Sequence, residues 1–63
     1  MNDRKEWLRR VTAAQTIMQN AIDNASKLIS EPESTAGERR VAAARLLTSV
    51  GAFAKVLEEK YQE

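Results

Sequence analysis

The 63-residue chain contains no cysteine and no histidine, and those two absences remove more chemistry than any residue present supplies. Without cysteine there is no disulfide framework, no thiolate nucleophile and no thiolate metal ligand. Without histidine the commonest metal ligand and the commonest general base near neutral pH are both missing. Proline occurs once, glycine twice, and tryptophan, tyrosine and phenylalanine once each. No apolar run approaches the ~20 residues of a membrane-spanning helix. The charged start lacks the apolar core of a signal peptide, so a soluble, cytoplasmic chain is expected. Ten Lys/Arg against nine Asp/Glu leave a net charge of +1, which is not the strongly basic footprint of a dedicated nucleic-acid binder.

What is present is helical periodicity, interrupted once. Between Ile29 and Thr35 lies a short polar break containing Pro32, and on either side of it apolar residues recur at helical spacing. In the first segment Trp7, Val11, Ala14, Met18, Ala21, Ala25 and Leu28 follow one another at alternating intervals of four and three, a heptad seam. Leu8, Ile22 and Ile29 widen this stripe on one side and Ile17 on the other. The opposite face carries Lys5, Arg9, Thr12, Thr16, Gln19, Asn20, Asp23 and Lys27. Asp3 is positioned as an N-cap, with Glu6 three residues on. A helix over about 4–29 follows, ended by Pro32, which pushes Glu31 out of the α region.

Thr35 with Glu38 forms a second capping-box signature and starts a helix over about 36–61. Its principal stripe is expected to comprise Ala43, Leu46, Leu47, Val50, Phe53, Ala54, Leu57 and Tyr61. A weaker stripe of Val41, Ala52 and Val56, flanked by Ala42, Arg45 and Ser49, is expected on its back. Gly51 inside this helix costs about 1 kcal/mol relative to alanine and is expected to mark a close backbone approach. The five-residue connection suits antiparallel neighbours. The fold expected is all-α, one helical-hairpin domain over 1–63.

A chain this short rarely draws more than about 3–5 kcal/mol from its own core, and two wide apolar stripes cannot both be covered within one hairpin. Two hairpins docked as a homodimeric four-helix bundle answer both problems. The residues expected in that oligomer interface are Trp7, Val11, Met18, Ile22, Leu28, Leu46, Val50, Phe53 and Leu57.

Catalysis finds little support. Ser34 and Thr35 read as helix caps, and no base is arranged to activate a hydroxyl. The carboxylates at Glu31, Glu33 and Glu38, and at Glu58, Glu59 and Glu63, sit at helix ends where solvation is the rule. No phosphate-binding glycine loop, cofactor motif or metal-ligand spacing occurs. No enzyme, cofactor or metal site is expected.

Interaction roles remain. Val41, Arg45, Ala52 and Val56 are the candidate surface for a protein partner. Arg9, Arg10, Arg39 and Arg40 lie at helix N-termini, where the macrodipole disfavours cations. They are either phosphate contacts or ion-pair partners, Arg9 and Arg10 for Glu58, Glu59 or Glu63, Arg39 and Arg40 for Glu31, Glu33 or Glu38. The run Glu38-Arg39-Arg40-Val41-Ala42-Ala43-Ala44-Arg45-Leu46-Leu47, following the acidic, proline-containing loop, resembles the hairpin helix of small phage proteins such as terminase small-subunit-like oligomerisation regions, over residues 31–57. In architecture the chain is similar to the plasmid regulator Rop, with no shared motif and no residue role carried over. The resemblance implies a small regulator of phage or mobile-element type that works by homodimerisation and binding.

Overall fold

The computed structural model describes residues 3–59, which form two antiparallel helices, α1 (Arg4–Ser30) and α2 (Ala36–Glu58). The second helix ends at Glu58, short of the end near 61 expected from its periodicity, because Glu59 turns extended (φ −64°, ψ 139°); Tyr61 and Glu63 lie outside the described residues. Their Cα envelope is a rod of 50 × 14 × 11 Å.

Each boundary has a local cause. Asp3 adopts an extended conformation and its carboxylate accepts from the Glu6 N–H at 2.8 Å. The Trp7 N–H donates to the Asp3 carbonyl at 3.0 Å and opens the helical ladder. At the other end Glu31 is extended (φ −91°, ψ 115°), as the residue before a proline must be, and its N–H closes on the Leu28 carbonyl at 3.2 Å. Ser34 N–H then bonds the Glu31 carbonyl across Pro32-Glu33. The Thr35–Glu38 capping box is complete: Glu38 N–H donates to Thr35 Oγ1 at 3.1 Å and Thr35 N–H to the Glu38 carboxylate at 3.2 Å.

The seam of α1 falls where the alternating intervals put it. Trp7, Val11, Ala14, Met18, Ala21, Ala25 and Leu28 are half-buried, while the rest of α1 is exposed. Opposite them on α2 stand Ala42, Leu46, Ser49, Phe53 and Val56, again at intervals of four and three. Ala42 and Ser49 are the two buried residues among those described. The Ser49 hydroxyl donates to the Leu46 carbonyl at 2.8 Å, so its burial leaves no unmet donor.

The face of α2 turned to α1 therefore differs from the one expected. Of the stripe read in the sequence, Leu46 and Phe53 are on the seam; Ala43, Leu47, Val50, Ala54 and Leu57 are exposed. The helix is rotated by about one residue, roughly 100°. Periodicity read from side-chain size favoured the leucines and valines, whereas the contact uses Ala42 and Ser49, small residues that let two helices approach closely. Val56 is corrected with it: it is half-buried on the seam, not on an exposed back stripe with Val41 and Ala52.

Gly51 is also not what its position suggested. A Cβ built there meets nothing within 4 Å, so the hairpin places no backbone against it. Gly51→Ala should consequently stabilise α2 by about 1 kcal/mol, raising the midpoint of a circular-dichroism melt by several degrees. An unchanged or lowered midpoint would mean that something outside the hairpin occupies that space.

Candidate interaction surfaces

The seam divides the hairpin into two flanks, and the side-chain contacts fix which residues share each. Arg10, Ile17 and Asn24 each precede a seam residue of α1, and Arg45 and Ala52 each precede a seam residue of α2. In an antiparallel pair such positions meet across the helices, and they do. Arg10 clasps Glu59 through both terminal guanidinium nitrogens, the Nη2–Oε2 bond being 2.8 Å. Ile17, Asn24, Arg45 and Ala52 together border a groove of about 560 Å³. A second hollow, bounded by Leu28, Thr35, Glu38, Val41 and Ala42, shares Asn24 and Arg45 with it. The two run on as one trough towards the loop.

The other flank is defined by the residues that follow seam positions. Leu8, Ile22 and Ile29 come from α1; Ala43, Val50 and Leu57 come from α2, with Leu47 and Ala54 one step further round. All are exposed. Leu47 at 75% and Ile29 at 79% are nearly as open as free side chains. Scattered surface leucines are ordinary, but six large aliphatic side chains share one flank of so small a protein, interrupted on α1 by Gln15 between Leu8 and Ile22, and make an apolar band.

The residues expected in an oligomer interface consequently divide. Trp7, Val11, Met18, Leu28, Leu46 and Phe53 lie half-buried on the seam of one chain, whereas Ile22, Val50 and Leu57 lie on the open band. The candidate partner surface divides as well: Arg45 and Ala52 border the groove, Val41 the adjoining hollow, and Val56 belongs to the seam.

The two arginine clusters lie far apart, as an antiparallel hairpin requires. Arg9 and Arg10 stand at the start of α1 and Arg39 and Arg40 at the start of α2, which are opposite ends of the 50 Å rod. Arg10 is occupied by Glu59 in the one salt bridge among the described residues. Arg39 donates instead to the Ser34 carbonyl and hydroxyl at 2.8 and 3.1 Å, tying the loop to α2. The acidic partners proposed for Arg39 and Arg40 are thus not engaged. Arg9 and Arg40 are exposed.

One contact had no sequence signal. Trp7 Nε1–H donates at 2.8 Å to the Val56 carbonyl, one of the final carbonyls of α2 that the helix ladder leaves short of donors. The Glu59 N–H shares that oxygen at 3.2 Å. A tryptophan placed for apolar packing thus also caps the neighbouring helix. Only the register of the two helices reveals it.

Among the described residues no group of three or more Asp, Glu, His or Cys could hold a metal ion, and no described helix is long and apolar enough to cross a membrane. No family model, curated protein or solved structure matches the chain.

The tryptophan cap can be isolated. Trp7→Phe keeps most of the apolar body and deletes the N–H, and should cost about 0.5–1.5 kcal/mol. Hydrogen exchange should accelerate in the last turn of α2 more than in its middle. Uniform acceleration along both helices would assign the loss to packing instead.

Proposed function

We propose that this chain is a non-enzymatic helical interaction module that dimerises into a four-helix bundle and binds a protein partner on the flank left free. The observation that carries the dimer is the open band of Leu8, Ile22, Ile29, Leu47, Val50 and Leu57. Its scale fits. The chain exposes 5128 Å², about 1,000 Å² more than the roughly 4,100 Å² typical of a compact monomer of this mass. A standard protein interface removes about 800 Å² from each partner. With Ala42 and Ser49 as its buried residues, one hairpin has little core of its own, and a second copy supplies the missing half.

A two-fold axis through the band brings like residues together and closes the assembly at two. The grooves bordered by Arg45 and Ala52 then remain outside, one on each copy. The resemblance of residues 31–57 to phage hairpins supports a small regulatory or adaptor role of mobile-element type. A nucleic-acid-binding regulator is the second reading, favoured by the exposure of Arg9 and Arg40. Docked head to tail, two hairpins would place the Arg9 of one beside the Arg40 of the other. Steeply salt-dependent binding of short RNA or duplex DNA in fluorescence anisotropy would advance it.

Sedimentation equilibrium tests the dimer directly. The wild-type chain should run at twice its 7.1 kDa mass, and its melting midpoint should rise with concentration, as mass action requires. Leu47→Glu combined with Val50→Asp should give a monomer with reduced helicity. A wild-type monomer with a concentration-independent midpoint, or a doubly substituted dimer, would place the interface elsewhere or remove it.

A further inference from the structure

On the open flank one polar side chain stands in a row of large aliphatic ones. Leu8, Gln15, Ile22 and Ile29 follow one another along α1 at intervals of seven, all exposed. Two polar neighbours further round the helix are already engaged. The Thr12 hydroxyl donates to the Leu8 carbonyl at 2.9 Å, and Gln19 Nε2 donates to the Asp23 carboxylate at 3.1 Å. The Gln15 amide makes no side-chain hydrogen bond among the described residues. Trp7 bonded to the Val56 carbonyl, and Ile17 sharing a groove with Ala52, put Gln15 level with residues 50–54 of α2. There the same flank presents Val50 and Ala54, neither of which offers a side-chain partner to an amide.

A second copy can close on this flank about a two-fold axis in two ways. With the axis along the rod, both loops lie at one end and each α1 rests on the α2 of its partner. Every Gln15 amide is then pressed against Val50 and Ala54 of the other copy, a buried polar group with no bond to make. With the axis across the rod, the loops lie at opposite ends and each helix runs antiparallel to its own copy. We infer that the dimer takes this second form, with the two-fold axis passing between the Gln15 side chains of the two copies. The inference rests on the dimer proposed above and supplies its docking. An amide carries both donors and an acceptor, so two of them related by a two-fold axis can each donate to the other. The same axis sets Leu8 against Ile22 of the partner. On α2 it sets Leu47 against Leu57 and Val50 against Ala54, so the heptad of Ala43, Leu47, Val50, Ala54 and Leu57 packs on itself with apolar layers alone. Charge at the rims does not choose between the two forms. The second brings Asp23 and Lys27 level with Lys5 and Arg9 of the partner, whereas the first brings Arg9 level with Glu58 and Lys27 level with Arg40. The middle decides. A single polar layer in an apolar interface also fixes register, because a slip of one turn leaves both amides facing aliphatic side chains.

The chain has no cysteine, so a single introduced thiol reports its own neighbours. In a buffer of reduced and oxidised glutathione, Gln15→Cys should form a disulfide-linked dimer at least about tenfold more readily than Thr16→Cys. Thr16 lies one residue on and is turned away from the band, so it measures chance collision. The linked dimer should keep the helicity of the wild type by circular dichroism. Charge gives a second reading of the same axis. Gln15→Glu and Gln15→Lys should each dimerise at least about tenfold more weakly near neutral pH, and an equal mixture of the two should recover the wild-type sedimentation mass. A wild-type dimer in which Gln15→Cys is no more reactive than Thr16→Cys, or a charged mixture that stays at the single-chain mass, would overturn this docking and leave the dimer standing. Cross-linking of Gln15→Cys chains to Ala54→Cys chains would then assign the form with both loops at one end. A wild-type chain that sediments as a monomer would remove the dimer and its docking together.

Discussion

Two cylinders lying side by side touch along a single line, and everything in this protein follows from that limit. Each helix of a hairpin can turn only a narrow seam towards its neighbour, so the seam residues of α1 are half-buried and none is fully buried. On α2 burial is deepest at Ala42 and Ser49, the side chains small enough to sit between the axes. Hydrophobic stabilisation scales with area removed from water, and a seam this thin removes little of it. The remaining apolar surface has to be covered from outside the hairpin or left wet.

The ends of the rod are where a thin seam is weakest, and they carry the polar devices. At the loop, the Thr35–Glu38 box and the Arg39 bonds to Ser34 set the start of α2. At the far end, Trp7 donates to the Val56 carbonyl and Arg10 grips Glu59. The ion pair is substantially solvated, with side-chain exposures of 43% and 29%, and pairs of that kind contribute about 0–1 kcal/mol. Their larger effect is on register: an axial slip of one turn would separate Trp7 from its carbonyl and Arg10 from its carboxylate together. Charge at the ends fixes alignment, and the uncharged middle is left to apolar contact.

How far this was legible differs between the two helices for a physical reason. Helix α1 has a polar back, so its apolar intervals admit one phase, and the sequence alone identified each of its seam positions. Three boundaries were equally readable, because Asp3, Pro32 and the Thr35–Glu38 pair act locally; the end of α2 at Glu58 carries no such local signal and was placed too late. Helix α2 is apolar or small almost all round between residues 41 and 54, and several stripes of helical period coexist there. Choosing the stripe with the largest side chains put Leu47, Val50 and Leu57 inward and Val56 outward, the reverse of their placement. Packing distance, which favours Ala42 and Ser49, is a property of the pair of helices and is not written in either one. The Trp7 cap likewise depends on what lies across the seam.

That same all-round apolarity is the strongest argument about what α2 is for. A helix apolar on every side is normally a buried helix, yet in one hairpin α1 covers only one side of it. Helix α1, with threonines, glutamines and asparagines along its back, is built to face water; α2 is built to be surrounded. The proposed second hairpin across the Leu47–Leu57 band would cover another side and leave the third, the ridge of Ala44, Thr48 and Ala52. Covering that ridge with a helix of the partner would complete the enclosure of α2. A two-fold dimer has two such ridges on its outer surface, so it would hold two partner helices at a fixed separation. A partner that presents two copies of its helix would then gain by effective concentration what each shallow trough lacks in affinity. On this view α2 is the central element of a larger helical assembly, and α1 is its solvent-facing cover.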